Sequence, residues 1–368
     1  MTLLAGVAVA DITPTAAVRL AGFLHREPAV PRLVVADPLQ VRAVALSDGA
    51  ATAVLLVLDL VGLSAEAGAA LRLAVSSTTG VHVERVLTSC THTHSGPDTL
   101  LGMDLHPGYP ELLAAACVDA ASRALADLAP VALGIAEVDV PVTLAVNRRG
   151  RSHVPRLQLL DLWRSGSRLA SVIGVGIHPV THGPDVHVVT ADWVGHCRTA
   201  LEAALGGTAV VVAGALGDVN PPGGDGYDRA GGGPSLAASV GAAVAALAVA
   251  AAARVTDGGV HLELSHRAIE LPVAEAELSR LVSGGQATVV AELLEWQVGT
   301  AHLVSMPGEP LGAFAAEVTR PGTVVPVGLA PSWYGYLPHP DALDGGYEDE
   351  LGLGAPALRA LLDALAAA

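Results

Sequence analysis

Uninterrupted apolar runs of strand length alternate along this chain with longer Ala/Leu segments of helical period. LQVRAVALSD (39–48) and TAVLLVLDLV (52–61) predict strands buried on both faces, AEAGAALRLAVSST (65–78) a helix, and VERVLTSC (83–90) a further strand. A long helix is predicted over 109–129, one strand over 131–146, and two more over 156–163 and 168–177. Residues 191–205 read as a helix and 208–214 as a strand; a Gly/Pro/Asp-rich loop then fills 217–233. Strands over 261–271 and 301–306, a helix in AFAAEVTR and a terminal Ala/Leu helix complete the series. Strands interleaved with helices, without an internal repeat or linker, predict one large α/β domain spanning 1–368.

Composition narrows the functions open to such a fold. A net charge of −16 repels phosphate backbones and anionic membrane surfaces, which argues against a nucleic-acid partner. Residues 236–253 are apolar and long enough to span a bilayer, yet Ala and Gly gain little on leaving water, so they read as a buried Ala-rich helix. The N-terminus lacks a basic region followed by an apolar core, and three cysteines without metal spacing predict reduced thiols, with Cys90 a small buried residue. A cytoplasmic acidic enzyme acting on a small molecule is the expectation.

Polar, metal-capable residues collect where the apolar strands end: His92 and His94 in SCTHTHSGP, His178 in GIHP, Asp218 and Asn220 in GDVNPP, Glu309 in MPGEP. In open α/β sheets such positions border the ligand crevice. Singly, each has an ordinary reading. An HxH pair is often just polar, His178 competes with His182, His187 and His196, and Glu309 and Asp192 can equally cap the helices that follow them. Tyr334, Tyr336 and Tyr347 crowd three of five tyrosines into one late segment.

Read together and in order, the motifs GVAVADITP with LAGF, THTHSGP, GIHPV with TADWVG, GALGDVNPP, MPGEP, and GYLPHP with GGYE resemble the neutral/alkaline ceramidases, zinc-dependent amide hydrolases, in their N-terminal catalytic domain. The resemblance implies mixed β-sheets flanked by helices, without the C-terminal β domain of those enzymes. It implies zinc held by His92, His178, Glu309 and Tyr336, with His94 beside the metal, Arg148 contacting substrate, Tyr347 near the developing oxyanion, and Asp192 at a motif position.

One departure matters. The family's serine in GDVSP is replaced here by Asn220, and an amide cannot serve as an acyl-accepting nucleophile. The expected activity is therefore hydrolysis of a non-peptide carbon–nitrogen (or related acyl) bond in a small metabolite by water activated at zinc, with Asn220 orienting the water or the oxyanion. Two other readings stay open: a zinc enzyme that polarises a carbonyl without hydrolysis, and a non-catalytic binding module.

Overall fold

Strands covered on both faces have no polar side to show, which is why the central runs of this chain are almost wholly apolar. The computed structural model describes all residues except 1, 24–25, 27–32, 101–106, 151–154, 224–231, 252–253, 257–260, 320–323 and 367–368. A first sheet runs in the order Val86–Cys90, Thr52–Leu58, Gln40–Ser47, Leu4–Asp11, Ala129–Pro130. On one face Val41, Ala43, Val54 and Leu56 meet Leu113, Cys117 and Ala120 of the helix Tyr109–Ala126. Val44, Leu46, Leu55 and Val57 on the other face meet a second sheet.

That second sheet runs Thr208–Ala213, Ser167–Val175, Arg156–Arg164, Ala132–Asp139, Arg254–Thr256. Leu160, Leu162 and Val172 face the first sheet, and Leu159, Ile173 and Val211 are covered by the helices Asp192–Leu205 and Gly233–Ala251. A third sheet, Leu262–Pro272, Thr288–Val298, Ala301–Ser305 and Val324–Val327, closes the interior with Leu294, Trp296, Leu303 and Val325. Each fully buried aliphatic or aromatic side chain of this kind contributes roughly 1.5–3 kcal/mol. The architecture is α/β, with mixed sheets flanked by helices, as the sequence predicts.

Three details differ from expectation. The strand predicted over 131–146 stops at Asp139. Pro141 lacks the N–H a ladder needs, and Leu144 and Ala145 instead donate to its carbonyl at 2.8 and 3.2 Å. Pairing resumes at Val146–Asn147, against Val219–Asn220. The Ala-rich helix is only half-buried: Val240, Val244 and Ala248 face the core, while Ala242, Ala246 and Val249 face outward. It is the one described helix long and apolar enough to cross a membrane, and residues 252–253 of the predicted segment and 224–231 of the predicted loop lie outside the described residues. The strands Leu4–Asp11 and Thr288–Val298 were not expected.

Candidate metal centre

Each of the three large sheets contains one parallel strand pair: Thr52–Leu58 with Val86–Cys90, Ser167–Val175 with Thr208–Ala213, and Ala301–Ser305 with Val324–Val327. The candidate residues follow the carboxyl ends of these pairs. His92 comes after Cys90, His178 after Val175, Asn220 after Ala213 and Glu309 after Ser305. Three sheets thus deliver one residue set to one place.

Local bonding aims the side chains. His92 has φ 71°, a left-handed conformation costing on the order of 1–3 kcal/mol in a non-glycine residue, so its surroundings must hold it there. Its N–H donates to Leu60 O at 2.9 Å, and its ring Nδ1 lies 2.5 Å from Val61 O. The His178 N–H donates to Val219 O at 2.9 Å, and its Nδ1 lies 2.6 Å from Leu216 O. Glu309 is fixed by its own N–H to Gly335 O at 2.9 Å and by Trp333, whose Nε1 donates to Glu309 Oε1 at 2.7 Å. Glu309 Oε2 then lies 3.2 Å from His92 Nε2 and 3.3 Å from His178 Nε2, with all three side chains buried.

These contacts decide which nitrogens carry protons. A backbone carbonyl only accepts, so Nδ1 of each histidine is the N–H and Nε2 presents a lone pair. Burial pushes the His178 imidazole down to about 4, so it is neutral at physiological pH. Burial also pushes Glu309 up, but the charge and hydrogen bonds that His92 and His178 supply when protonated outweigh it and hold this carboxyl well below its usual range. With the rings neutral and protonated at Nδ1, a carboxylate oxygen faces an imidazole lone pair at 3.3 Å, and neither His178 Nε2 nor Glu309 Oε2 has a partner in hydrogen-bond geometry. Two buried acceptors aimed at each other repel, and a cation between them turns the repulsion into coordination. Zinc at ~2.0–2.1 Å from nitrogen and oxygen ligands in tetrahedral geometry sets those ligands roughly 3.3 Å apart.

His94 completes a group in which the ligand atoms of His92, His94 and His178 all lie within 4.8 Å of one another. Its Nε2 is 3.3 Å from His92 Nε2, and its Nδ1 has no hydrogen-bond partner. Burial, then the charges of His92 and His178, push His94 well below its ordinary value. Gly22 shapes its berth: at φ +94°, a Cβ there would sit 2.3 Å from His94 Cγ.

The other predicted residues fall around this centre. Tyr336 is brought beside Glu309 by a parallel pairing of Glu309–Pro310 with Tyr336–Leu337. Burial and the Glu309 charge raise its phenol well above the ordinary value, while a hydrogen bond with Arg148 opposes this. Arg148 also pairs with Glu348 at 3.0 Å and donates to Gly217 O. Tyr347 meets the Tyr336 ring at 5.6 Å and lines the same cleft. Asn220 is buried, with neither amide atom hydrogen-bonded.

Asp192 opens its helix without capping it: Oδ1 accepts from the adjacent Trp193 N at 2.7 Å, while Oδ2 accepts from Thr181 N at 3.1 Å and meets His182 Nδ1 at 3.2 Å. The helix after Glu309 is instead capped by Asp218, whose Oδ1 accepts from Gly312 N at 3.0 Å. Burial pushes the Cys90 thiol well above its ordinary value, consistent with an inert packing residue. Sequence reasoning missed Trp333 as the residue that orients Glu309. The only hint was that one of four tryptophans stands three residues before Tyr336.

A cleft enclosing about 80 Å³ reaches His92, His94, Glu309 and Tyr336, against roughly 10–15 Å³ for one water. A wider groove of about 480 Å³ adjoins it and shares Leu100, Leu281 and Trp333 as walls.

The sequence matches no family profile and no curated protein. Among solved structures, the fold is similar to the neutral ceramidase from Pseudomonas aeruginosa, with TM-score 0.80 and 17% identity over 100% of this chain and 74% of that one. A ceramidase complexed with C2 gives TM-score 0.80 and 16% identity over the same shares. With architecture and full-length superposition in agreement, the chain has the neutral ceramidase fold.

Proposed function

We propose that this protein is a zinc-dependent hydrolase that cleaves an amide, or related acyl, bond in a small metabolite, and that it is not a long-chain ceramidase. The observation that carries the reading is the donor-free approach of His178 Nε2 and Glu309 Oε2, which a divalent cation relieves. Nitrogen and carboxylate donors suit zinc, and His92, His178, Glu309 and Tyr336 are the residues assigned to hold it. A bound zinc ion lowers the pKa of water towards ~7 and polarises a scissile carbonyl.

The chain's own residues supply the rest. Asn220 has a carbonyl to accept from water and an NH₂ to donate to an oxyanion, and its buried amide has no competing partner. His94, kept neutral by burial, shuttles a proton to the leaving amine. Arg148 is fixed by Glu348 and Tyr336 and steadies the acyl oxygen side of the substrate. Tyr347 stands across the cleft as a phenolic donor.

The test is turnover of an N-acyl panel in ¹⁸O-labelled water. Hydrolysis places the label in the released carboxylate, and a product without label there overturns the reading. Within that assay Asn220→Ala is expected to lower kcat by about 10²-fold. Because neither amide atom is hydrogen-bonded, the variant should match or exceed wild type in thermal stability. An unchanged kcat would remove Asn220 from the mechanism.

A further inference from the structure

Residues 190–193 supply none of the groups given a chemical role above, yet they bond to both loops that carry the site's histidines. Thr93 Oγ1 donates to Thr190 O at 2.8 Å, and Thr190 N donates to Ser95 O at 3.1 Å, one bond on each side of His94. Trp193 Nε1 donates to His178 O at 3.2 Å. Asp192 Oδ2 accepts from Thr181 N at 3.1 Å and from His182 N at 3.4 Å, with His182 Nδ1 a further 3.2 Å contact. A bond from His94 N to Pro179 O at 3.4 Å joins the two loops directly. The segment therefore bridges the gap across which His92 and His178 face Glu309.

Asp192 is the residue of this bridge whose own state is unusual. Its φ of 57° lies in the left-handed region, as that of His92 does, and it is 1% exposed. Its carboxylate serves the 178–182 loop and does not cap the helix Asp192–Leu205. An aspartate that merely began a helix would need neither burial nor a left-handed backbone. The base from which it reaches is pinned. Asp37 accepts from Ala191 N at 2.9 Å and from Thr190 Oγ1, and Thr190 Oγ1 in turn accepts from Asp192 N at 3.0 Å.

From a buried carboxylate that holds a histidine loop and not its own helix, we infer that Asp192 is a positioning residue of the metal centre, setting His178 at its separation from His92 and Glu309. The inference rests on the metal site of the proposed function, and on no particular substrate or reaction. Without the carboxylate, Thr181 N and His182 N lose a buried acceptor, the 178–182 loop relaxes toward other partners, and His178 Nε2 leaves its place 3.3 Å from Glu309 Oε2. Partners that orient metal ligands typically change metal affinity by about 10- to 100-fold.

The test titrates zinc against a chromophoric chelator in wild type, Asp192→Gly and Asp192→Asn. Glycine takes φ 57° freely and removes the carboxylate; asparagine also tolerates it and keeps an oxygen for Thr181 N. Asp192→Gly should raise the zinc Kd about 10- to 100-fold, and Asp192→Asn should raise it by less, with one zinc per chain still bound at saturation. Leu201→Ala, on the same helix and buried in the core, is the control for general loosening and should leave the Kd within about twofold. In cobalt-loaded protein Asp192→Gly should shift the visible ligand-field bands, which a loss of stability alone does not move.

An unchanged Kd in both Asp192 variants, or an equal rise in Leu201→Ala, overturns the inference. Zinc binding that follows this pattern without any amide hydrolysis sinks the proposed reaction and leaves the positioning role standing. If wild type binds no zinc, the metal-dependent function fails separately, and the imidazole N–H resonances of the metal-free protein decide. The Nδ1–H of His178, 2.6 Å from Leu216 O, should shift or exchange faster in Asp192→Gly, while that of His92, beside Val61 O, keeps its place. Resonances that change at both histidines, or at neither, overturn the positioning role.

Discussion

Elemental mass spectrometry of gently purified protein is expected to give about one zinc per chain, with the metal lost in both His92→Ala and Glu309→Gln and turnover falling at least ~10³-fold. The two substitutions fail for different reasons, and stability separates them. His92→Ala deletes a proposed ligand and also the ring that holds φ 71° in place through Val61 O, so it weakens the fold as well as the site. Glu309→Gln keeps the volume and an oxygen for the 2.7 Å bond from Trp333, and it replaces Oε2 with an NH₂ that can donate to the lone pairs of His92 and His178.

That exchange reverses the usual order of stabilities. Metal-free wild type keeps two acceptors face to face, so Glu309→Gln should be more stable than wild type stripped by chelator. With zinc restored at 1,000 times its Kd, wild type should gain about 4 kcal/mol, and the variant should gain none. Wild type that holds no metal and is already more stable than Glu309→Gln would sink the metal centre, because the carboxylate would then be an ordinary structural partner of protonated histidines.

Most of the architecture was legible because burial on both faces writes itself into sequence as continuous apolar runs such as TAVLLVL. Thr288–Val298 escaped because AELLEW mimics helical spacing. Its two glutamates are tolerated in a strand because Arg72, from far along the chain, pairs with Glu292, and Arg267, on the neighbouring strand Leu262–Pro272, pairs with Glu295. At the site, the order of the motifs pointed to His92, His178 and Glu309, and the structure brings their side chains together. It could not reveal Trp333 behind Glu309 or His182 against Asp192. Each of these is a tertiary relation between residues that look ordinary where they stand.

The same reasoning predicts a large effect well away from the chemistry, at the ion pair of Asp59 and Arg198. Both oxygens of Asp59 meet the guanidinium, at 2.7 Å each, and both side chains are buried. Burial pulls Arg198 down, and Asp59 more than reverses it. Asp59 also accepts from Gln40 N at 2.9 Å and from Thr91 Oγ1 at 3.3 Å, so it joins two strands to the residue immediately before His92. Arg198→Met leaves a fully buried carboxylate with those two neutral donors only. The expected cost is about 3–5 kcal/mol by chemical denaturation, with an unchanged denaturant slope.

Adding Asp59→Asn to Arg198→Met removes the stranded charge and should recover a large part of that loss, because what destabilises the single variant is the unpaired ion more than the missing contact. Zinc content distinguishes this from damage at the metal centre. The double variant, with its amide still able to accept from Thr91, should retain the metal, whereas the single variant should lose affinity as the segment before His92 loosens. A single variant within ~0.5 kcal/mol of wild type would mean that the pair is dispensable, and that Leu60 O and Val61 O position His92 unaided.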